Sequence, residues 1–295
     1  MNFTRLTLED IDDIRPLMAK AANRLCDNTI GTLFMWRDYF KTHYFIDENG
    51  SLFIRHKFGE KYYFMIPIGG DIKSNILKIE SMCRENGIPL IFCVVSSGEL
   101  KILQAMYDRL NVKEERDWFD YLYDARSIMS LAGRKYAGQR NHINRFKKLY
   151  PENAFNLIDS SNTVKIREFL EEYYSINEMT DPMQIEEKAK VFEVIDNYEK
   201  YGMIGGFITA GDRVVSISIG EIVYDTLFIH IEKADTGFHG AYQMIVNEYA
   251  KNICTPEVKY INREEDLGKE GLRTSKLSYH PLCLLEKYTV EVLST

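Results

Sequence analysis

Several features are missing from this sequence, and each absence excludes a class of protein. No apolar run approaches the ~20 residues of a membrane-spanning helix, because charged residues interrupt the longest candidates. The opening residues, MNFTRLTLEDIDD, contain no apolar signal region, so we expect a protein that is not secreted. The five cysteines form no C-x-x-C pair, which favours reduced thiols in a cytoplasmic protein over a disulfide or zinc framework.

The overall composition describes an acidic globular chain. The formal net charge of −7 argues against a protein that binds nucleic acid over its whole surface. Hydrophobic residues make up 45% of the chain and charged residues 27%, which is typical of a folded rather than a disordered protein. A length of 295 residues suits two domains better than one compact core.

Residues 205–250 predict an antiparallel meander followed by a helix. Apolar and β-branched runs around Ile208, Ile217 and Ile229 are separated by turn residues, which is the pattern of successive hairpins. Apolar residues then recur at helical spacing from Ala241 onwards, and residues 258–261 form a strand in the position of a parallel partner. Meander, helix and parallel strand is the order of the acyltransferase core of the GNAT type.

The first half of the chain repeats this order without repeating the residues. Three runs around Phe45, Ile54 and Phe64 predict a meander, and a helix and a buried strand at residues 89–95 follow. We therefore expect an α/β (α+β) protein with two tandem GNAT-like acyltransferase folds, each a mixed, mostly antiparallel sheet flanked by helices. The expected domains are residues 1–125 and residues 126–295.

Two glycines stand immediately before the predicted helix of the second half. Gly237 and Gly240 carry no side chain, so a ligand or another backbone can approach the first amides of that helix. Backbone N–H groups at a helix start are favourable partners for phosphate. We therefore expect these two residues to contact a phosphate-containing donor.

A segment without acidic residues stands at the start of the second predicted domain. Residues 126–151 contain no Asp or Glu, and residues 136–150 have the apolar spacing of a helix. The face opposite the apolar one carries Asn141, Asn144, Arg145 and Lys148. Amide and cationic donors together suit a phosphate-bearing ligand. A basic surface helix without a ligand explains the pattern about equally well, although asparagine is a poor helix former and tilts the balance towards a function.

Three acids follow the second predicted parallel strand. Glu264, Glu265 and Asp266 come after Asn262 and Arg263, where ligands gather beyond the strand ends of open α/β sheets. One of the three could take the proton from an attacking nucleophile. A solvated loop and internal ion pairs are the alternatives. A metal site is the least favoured interpretation, because no ligand spacing recurs.

Alternation along this segment makes Glu265 the preferred base. In an extended chain Glu264 and Asp266 point to one side and Glu265 to the other. We expect the first two to pair with Arg273 or Lys276, and Glu265 to face the ligand with a raised pKa.

Two segments of the sequence resemble a known bacterial family. They are KY at residues 135–136 with RNHINRFKK at 140–148, and YINREEDLG at 260–268 with SYHP at 278–281. The chain is similar here to uncharacterised bacterial proteins related to the C-terminal domain of phosphatidylglycerol lysyltransferase. The resemblance covers most of the chain and implies the tandem GNAT-type fold that Fem-type aminoacyl and peptidyl transferases also use.

The expected function is transfer of an acyl or aminoacyl group to an amine or a hydroxyl. The donor would be acyl-CoA or aminoacyl-tRNA, so the expected partner is a phosphate-containing small molecule or tRNA. Asn262, Arg263 and Arg273 are further candidates to contact that donor. We expect no tightly bound cofactor, no metal and no covalent enzyme intermediate. The alternatives are a non-catalytic protein of the same fold that binds a phosphorylated ligand or RNA, and an interaction scaffold.

Overall fold

The computed structural model describes residues 1–21, 23–176 and 179–293. The strands in these ranges are β1 (Thr4–Arg5), β2 (His43–Ile46), β3 (Leu52–Phe58), β4 (Lys61–Phe64), β5 (Ile91–Val95), β6 (Leu110–Glu114), β7 (Asp120–Asp124), β8 (Asn153–Leu157), β9 (Ile204–Ala210), β10 (Arg213–Val223), β11 (Thr226–Ala234), β12 (Tyr260–Asn262), β13 (Cys283–Leu285) and β14 (Tyr288–Val292). The α-helices are α1 (Ile11–Met18), α2 (Ile30–Met35), α3 (Ile72–Asn86), α4 (Ser97–Met106), α5 (Ala125–Ser130), α6 (Ala137–Leu149), α7 (Thr163–Ser175), α8 (Pro182–Asp196), α9 (Tyr198–Tyr201), α10 (Ala241–Ile253) and α11 (Glu270–Leu277). None of these helices is both long and apolar enough to cross a membrane.

The described strands form two sheets of seven. The first has the order β1-β2-β3-β4-β5-β14-β6, and the second has the order β13-β7-β12-β11-β10-β9-β8. The chain divides into two compact units. The first unit comprises Met1–Asp120, Glu265–Lys269 and Leu284–Thr295, and the second comprises Tyr121–Glu264 and Glu270–Cys283.

The first unit contains the meander that the sequence predicts. Strands β2, β3 and β4 pair antiparallel, with Phe45 opposite Phe53, and β5 then pairs parallel to β4 through Phe64 and Phe92. Helix α3 lies between β4 and β5 in the chain and buries Ile76 against the same core. The predicted order of meander, helix and parallel strand is confirmed.

The second unit has the same order. Strands β9, β10 and β11 pair antiparallel, and β12 pairs parallel to β11 with Leu227 opposite Ile261. Between them, α10 buries Ile245 and Tyr249. Because each mixed sheet carries this element order, the chain has the tandem GNAT-like architecture predicted from its sequence.

Strand β11 contains a bulge at His230. Ile219 lies opposite Ile231, and the next residue of β10, Gly220, lies opposite Ile229. His230 is therefore the extra residue of the bulge, a feature that redirects a side chain. A Cβ at Gly220 would lie 1.9 Å from the carbonyl oxygen of Phe228, so only glycine fits opposite the bulge.

The segment of residues 126–159, at the start of the second predicted domain, forms no separate core. Its strand β8 pairs antiparallel with β9 and extends the second sheet. Its helix α6 packs against α10 and buries Ile143 and Phe146. The predicted apolar face of this helix is therefore confirmed.

The sequence did not predict the positions of two strands within their sheets. Strand β14 lies between β5 and β6, so Val290 pairs with Phe92 on one side and Val112 on the other. Strand β7 pairs antiparallel with β12, with Tyr123 opposite Ile261. Apolar patterning identifies a buried strand, but it carries no information about which distant strand becomes its neighbour.

Candidate functional site

The first unit contains a cavity of about 370 Å³. This volume lies near the lower end of the roughly 300–1,000 Å³ that small-molecule sites occupy. Much of its wall is aromatic, and the Trp, Tyr and Phe side chains that line it are Trp36, Tyr39, Phe40, Phe58, Tyr63, Trp118 and Tyr288. The rings of Trp36 and Tyr39 meet edge to face at 6.0 Å, and those of Phe40 and Trp118 lie 6.4 Å apart. The aromatic residues therefore support one another around the space.

One end of the cavity is charged. The ammonium of Lys287, whose side chain is only 4% exposed, lies 2.5 Å from Asp27 and 2.6 Å from Asp120. The carboxylate of Glu265 lies 3.7 Å from the same nitrogen. Burial disfavours the ammonium, but Asp120 and Asp27 outweigh that cost and raise the pKa of Lys287. Lys287 therefore remains a cation among three carboxylates.

Cys26 lies behind this charged group and contacts both Lys287 and Asp120. Its amide donates to Asp120 at 2.7 Å, and the ammonium of Lys287 lies 3.3 Å from its sulfur. Burial raises the pKa of the Cys26 thiol well above its usual range, and Asp120 adds to the shift against the opposing Lys287. Ligand atoms of Cys26, Asp120 and Glu265 lie within 4.8 Å of one another, as a metal site requires. The ammonium of Lys287 lies among those same atoms and supplies positive charge there.

The three acids of the loop after β12 have different surroundings. Glu265 lines the cavity, while Asp266 is fully buried in the same unit and pairs with Arg116 at 3.3 Å. The extended alternation that we used to separate them is wrong, because Glu264 has a left-handed φ of 55°. Arg116 could not be predicted as the partner of Asp266, because nothing in the sequence spacing links the two residues.

Glu264 belongs to a buried charge cluster in the second unit. Nδ1 of His230 lies 2.8 Å from Glu264, and Nε2 lies 3.0 Å from Glu221. Burial works against a charged imidazole, but the hydrogen bonds to Glu221 and Glu264 outweigh it and raise the pKa of His230 to about 10. The bulge in β11 therefore holds an imidazolium between two glutamates.

The two residues before Glu264, Asn262 and Arg263, are buried. The side-chain oxygen of Asn262 accepts from the Glu264 amide at 2.7 Å, so Asn262 fixes the loop. Arg263 pairs with Glu232 at 2.5 Å and lies over the ring of Tyr279 at 4.9 Å. Burial opposes its charge, but Glu232 raises the pKa of Arg263 further.

The two residues expected to pair with the acids lie on α11. The ammonium of Lys276 is buried and donates to the carbonyl of Arg263 at 2.5 Å. Arg273 is half-buried in the same helix. Lys276 thus fixes the backbone at Arg263 just ahead of the acidic loop.

The glycines before α10 serve a close approach of two helices. Gly240 caps α10 with a φ of 93°, and a Cβ there would lie 2.5 Å from the carbonyl oxygen of His142 on α6. Gly237 donates its amide to Asp235 at 2.8 Å. The sequence predicts that either a ligand or another backbone approaches the start of α10. The structure shows the backbone of α6 against Gly240.

The basic face of α6 is exposed as the sequence predicts. Asn141, Asn144, Arg145 and Lys148 are all exposed. Arg145 lies 3.2 Å from Nε2 of His239, which belongs to the segment before α10. These side chains form a contiguous helix surface that a phosphate-bearing ligand can reach.

Some of the charged residues could not have been found from sequence spacing. His230 interrupts an apolar strand run, which is a weak signal, whereas Lys287 stands beside a strand in an unremarkable charged context. Cys26 and Asp120 become candidate site residues only because Lys287 contacts both of them. The partners of these residues come from distant parts of the chain, and sequence periodicity cannot predict such contacts.

Comparisons with known proteins identify the family. The family described as "Phosphatidylglycerol lysyltransferase, C-terminal" matches residues 19–291. An uncharacterised protein of Mycoplasmoides gallisepticum is 27% identical over 200 residues, which cover 66% of this chain and 62% of that relative. The matched region therefore spans less than two thirds of the length of that curated relative.

Solved structures show the same fold over nearly the whole chain. A conserved protein of unknown function from Bacteroides thetaiotaomicron is 32% identical, with a TM-score of 0.91 and coverage of 99% of this chain and 100% of that one. The C-terminal domain of a putative lysylphosphatidylglycerol synthetase from Agrobacterium fabrum is 12% identical, with a TM-score of 0.69 and coverage of 97% and 92%. FemX is 9% identical, with a TM-score of 0.60 and coverage of 99% and 98%.

Proposed function

Since the chain belongs to the phosphatidylglycerol lysyltransferase C-terminal family, we propose that it transfers an aminoacyl group from tRNA to an amine or a hydroxyl. Acyl transfer from acyl-CoA is the second form of the same proposal, because both donors carry phosphate and an activated acyl group. The observation that carries the proposal is the position of Glu265 at the charged end of the aromatic cavity.

Glu265 has the position that a general base needs. Its carboxylate lies at the wall of a cavity large enough for a small acceptor, so it can reach a nucleophile bound there. The ammonium of Lys287 lies 3.7 Å away and places a positive charge beside this carboxylate. The nucleophile of the acceptor would lose its proton to Glu265 while it attacks the carbonyl carbon of the donor. Direct transfer of this kind requires no covalent enzyme intermediate.

The exposed face of α6, which belongs to the second unit, is by itself a candidate site for a phosphate-bearing ligand. Arg145 and Lys148 supply positive charge there, and Asn141 and Asn144 supply amide donors. Helix α10 starts with Gly240 beside α6, and its dipole adds to the attraction for an anion.

A cytoplasmic location agrees with this proposal. Aminoacyl-tRNA and acyl-CoA are cytoplasmic donors, and the cysteines of the chain are all free thiols. No part of the proposed reaction depends on a disulfide.

The test is a transfer assay with the purified protein. It is incubated with tRNA charged with radiolabelled amino acids, and in parallel with labelled acyl-CoAs, in the presence of small amines and alcohols. We expect label to move to an acceptor, and Glu265→Gln to lower turnover by about 100-fold while tRNA affinity is unchanged. Glu60→Gln, which removes the same charge from a side chain that is 97% exposed, is the matched control.

Each outcome of this assay assigns or removes a function. Transfer from acyl-CoA but not from charged tRNA identifies a thioester as the donor. Full turnover in Glu265→Gln removes Glu265 as the base. Binding of tRNA without any transfer favours the non-catalytic alternative.

A further inference from the structure

We infer that the cavity of the first unit takes an organic ammonium, so that the acceptor is a primary amine on an apolar stem rather than an alcohol. The inference deepens the proposed function, which leaves amine and hydroxyl open. It stands on the charge of the end of the cavity around Lys287 and on the aromatic side chains of its walls.

The charged end of the cavity contains more negative than positive side chains. Lys287 is in contact with the carboxylates of Asp27, Asp120 and Glu265. Asp27 and Glu265 also line the cavity, so a ligand that enters it meets two carboxylates. A positively charged group placed there is favoured by charge-assisted hydrogen bonds, whereas a neutral hydroxyl gains less.

The other titratable groups of the cavity leave this balance unchanged. Lys113 and Glu115 pair with each other at 3.0 Å and cancel. Burial lowers the pKa of His56 to about 4, so its imidazole is neutral at physiological pH. Burial likewise raises the pKa of the Cys93 thiol, which therefore stays uncharged.

The walls suit the same kind of ligand. Aromatic faces attract ammonium groups through their ring quadrupoles, and the aromatic residues of the cavity include Trp36, Tyr39 and Trp118. The same rings offer apolar surface to a hydrocarbon stem. An alkylammonium therefore finds favourable partners along its whole length, from the aromatic walls to the carboxylates.

The chemistry of transfer to such an acceptor balances without a further reactant. The bound ammonium loses one proton to Glu265, which passes it to solvent. The nitrogen lone pair attacks the carbonyl carbon of the donor, a C–N bond forms, and the C–O bond to the ribose of tRNA breaks. The second proton of the nitrogen goes to the leaving oxygen. The products are an amide and a free 3′ end.

The first test measures binding and needs no transfer activity. The purified protein is titrated calorimetrically with hexylamine and with 1-hexanol at neutral pH. We expect hexylamine to bind on the order of tenfold tighter, the value of about one charge-assisted hydrogen bond. Asp27→Asn and Glu265→Gln should each lower that preference, while Glu60→Gln should leave it unchanged.

The outcomes separate this inference from the proposed function. Equal or tighter binding of hexanol by the wild-type protein overturns the inference and needs no variant to fold. Selective amine binding without any transfer from tRNA or acyl-CoA supports the site and rejects the proposed reaction. Where transfer occurs, an alkali-stable amide product supports an amine acceptor, and an alkali-labile ester contradicts it.

Discussion

The ammonium nitrogen of Lys287 lies 2.6 Å from Oδ1 of Asp120, although the two residues come from distant parts of the chain. Asp120 is fully buried and also accepts from the amide of Cys26. The ion pair therefore joins the segment before β14, the start of β7 and the turn before α2. A charged site built in this way is also a structural tie within the first unit.

Replacing Lys287 with methionine should destabilise the protein strongly. The variant keeps the length of the side chain but removes the ammonium that contacts Asp27 and Asp120. Loss of one partner from a buried ion pair costs about 3–5 kcal/mol of unfolding free energy, to be measured by urea denaturation. Lys113→Met is the control, because its side chain is 72% exposed and its pairing with Glu115 is worth at most ~1 kcal/mol. Equal losses for the two variants would contradict the structural role of Lys287.

The basic face of α6 should bind anionic ligands without contributing to stability. The double variant Arg145→Ala/Lys148→Ala removes two exposed charges, so we expect weaker tRNA binding and a shallower dependence of affinity on salt. Thermal stability should change by only ~0.5 kcal/mol for each site. The pair Lys73→Ala/Lys101→Ala removes equal charge from exposed positions elsewhere and serves as the control. If the affinity of the two double variants for tRNA depends on salt in the same way, this face is ordinary solvated surface and not a binding site.

The buried imidazolium should make stability depend on pH. His230 has a pKa of about 10 in the folded protein, against 6.5 for a free imidazole. Its contribution is therefore complete below pH 6.5 and is lost as the pH rises towards about 10. Buried thiols such as Cys26 act with the same sign from about pH 8.5, so a comparison with His230→Gln is needed.

We expect the unfolding free energy of His230→Gln to fall less steeply than that of the wild-type protein between these pH values. The measurement is chemical denaturation across the range, with the exposed His142→Gln as the control. Parallel curves for the His230 variant and the wild-type protein would show that the imidazole does not carry the charge.

The elements of the fold could be predicted because each repeats a local pattern. Alternation around Ile54 and Ile217 and the helical spacing from Ala241 are properties of short segments, and burial of one face follows from them. The exposed face of α6 could be predicted for the same reason. The insertion of β14 between β5 and β6 could not, because several strands of similar apolar character compete for that place.

The candidate site could be predicted only in part. The acidic loop after β12 draws attention as a cluster, and Glu265 does line the cavity. The reason that we gave for choosing it fails at Glu264, whose left-handed backbone breaks the alternation. His230 and Lys287 derive their roles from partners brought close by folding, and a single sequence contains no distances.

The place of β14 in the first sheet has a consequence for synthesis. A ribosome makes β1 to β6 first, yet the strand that separates β5 from β6 emerges only after the residues of the second unit. Until then, the nascent chain exposes the edges of β5 and β6, which could pair wrongly with each other or with another chain. The first unit therefore cannot complete its folding until the second unit has been translated, because the strand that follows Lys287 is made last.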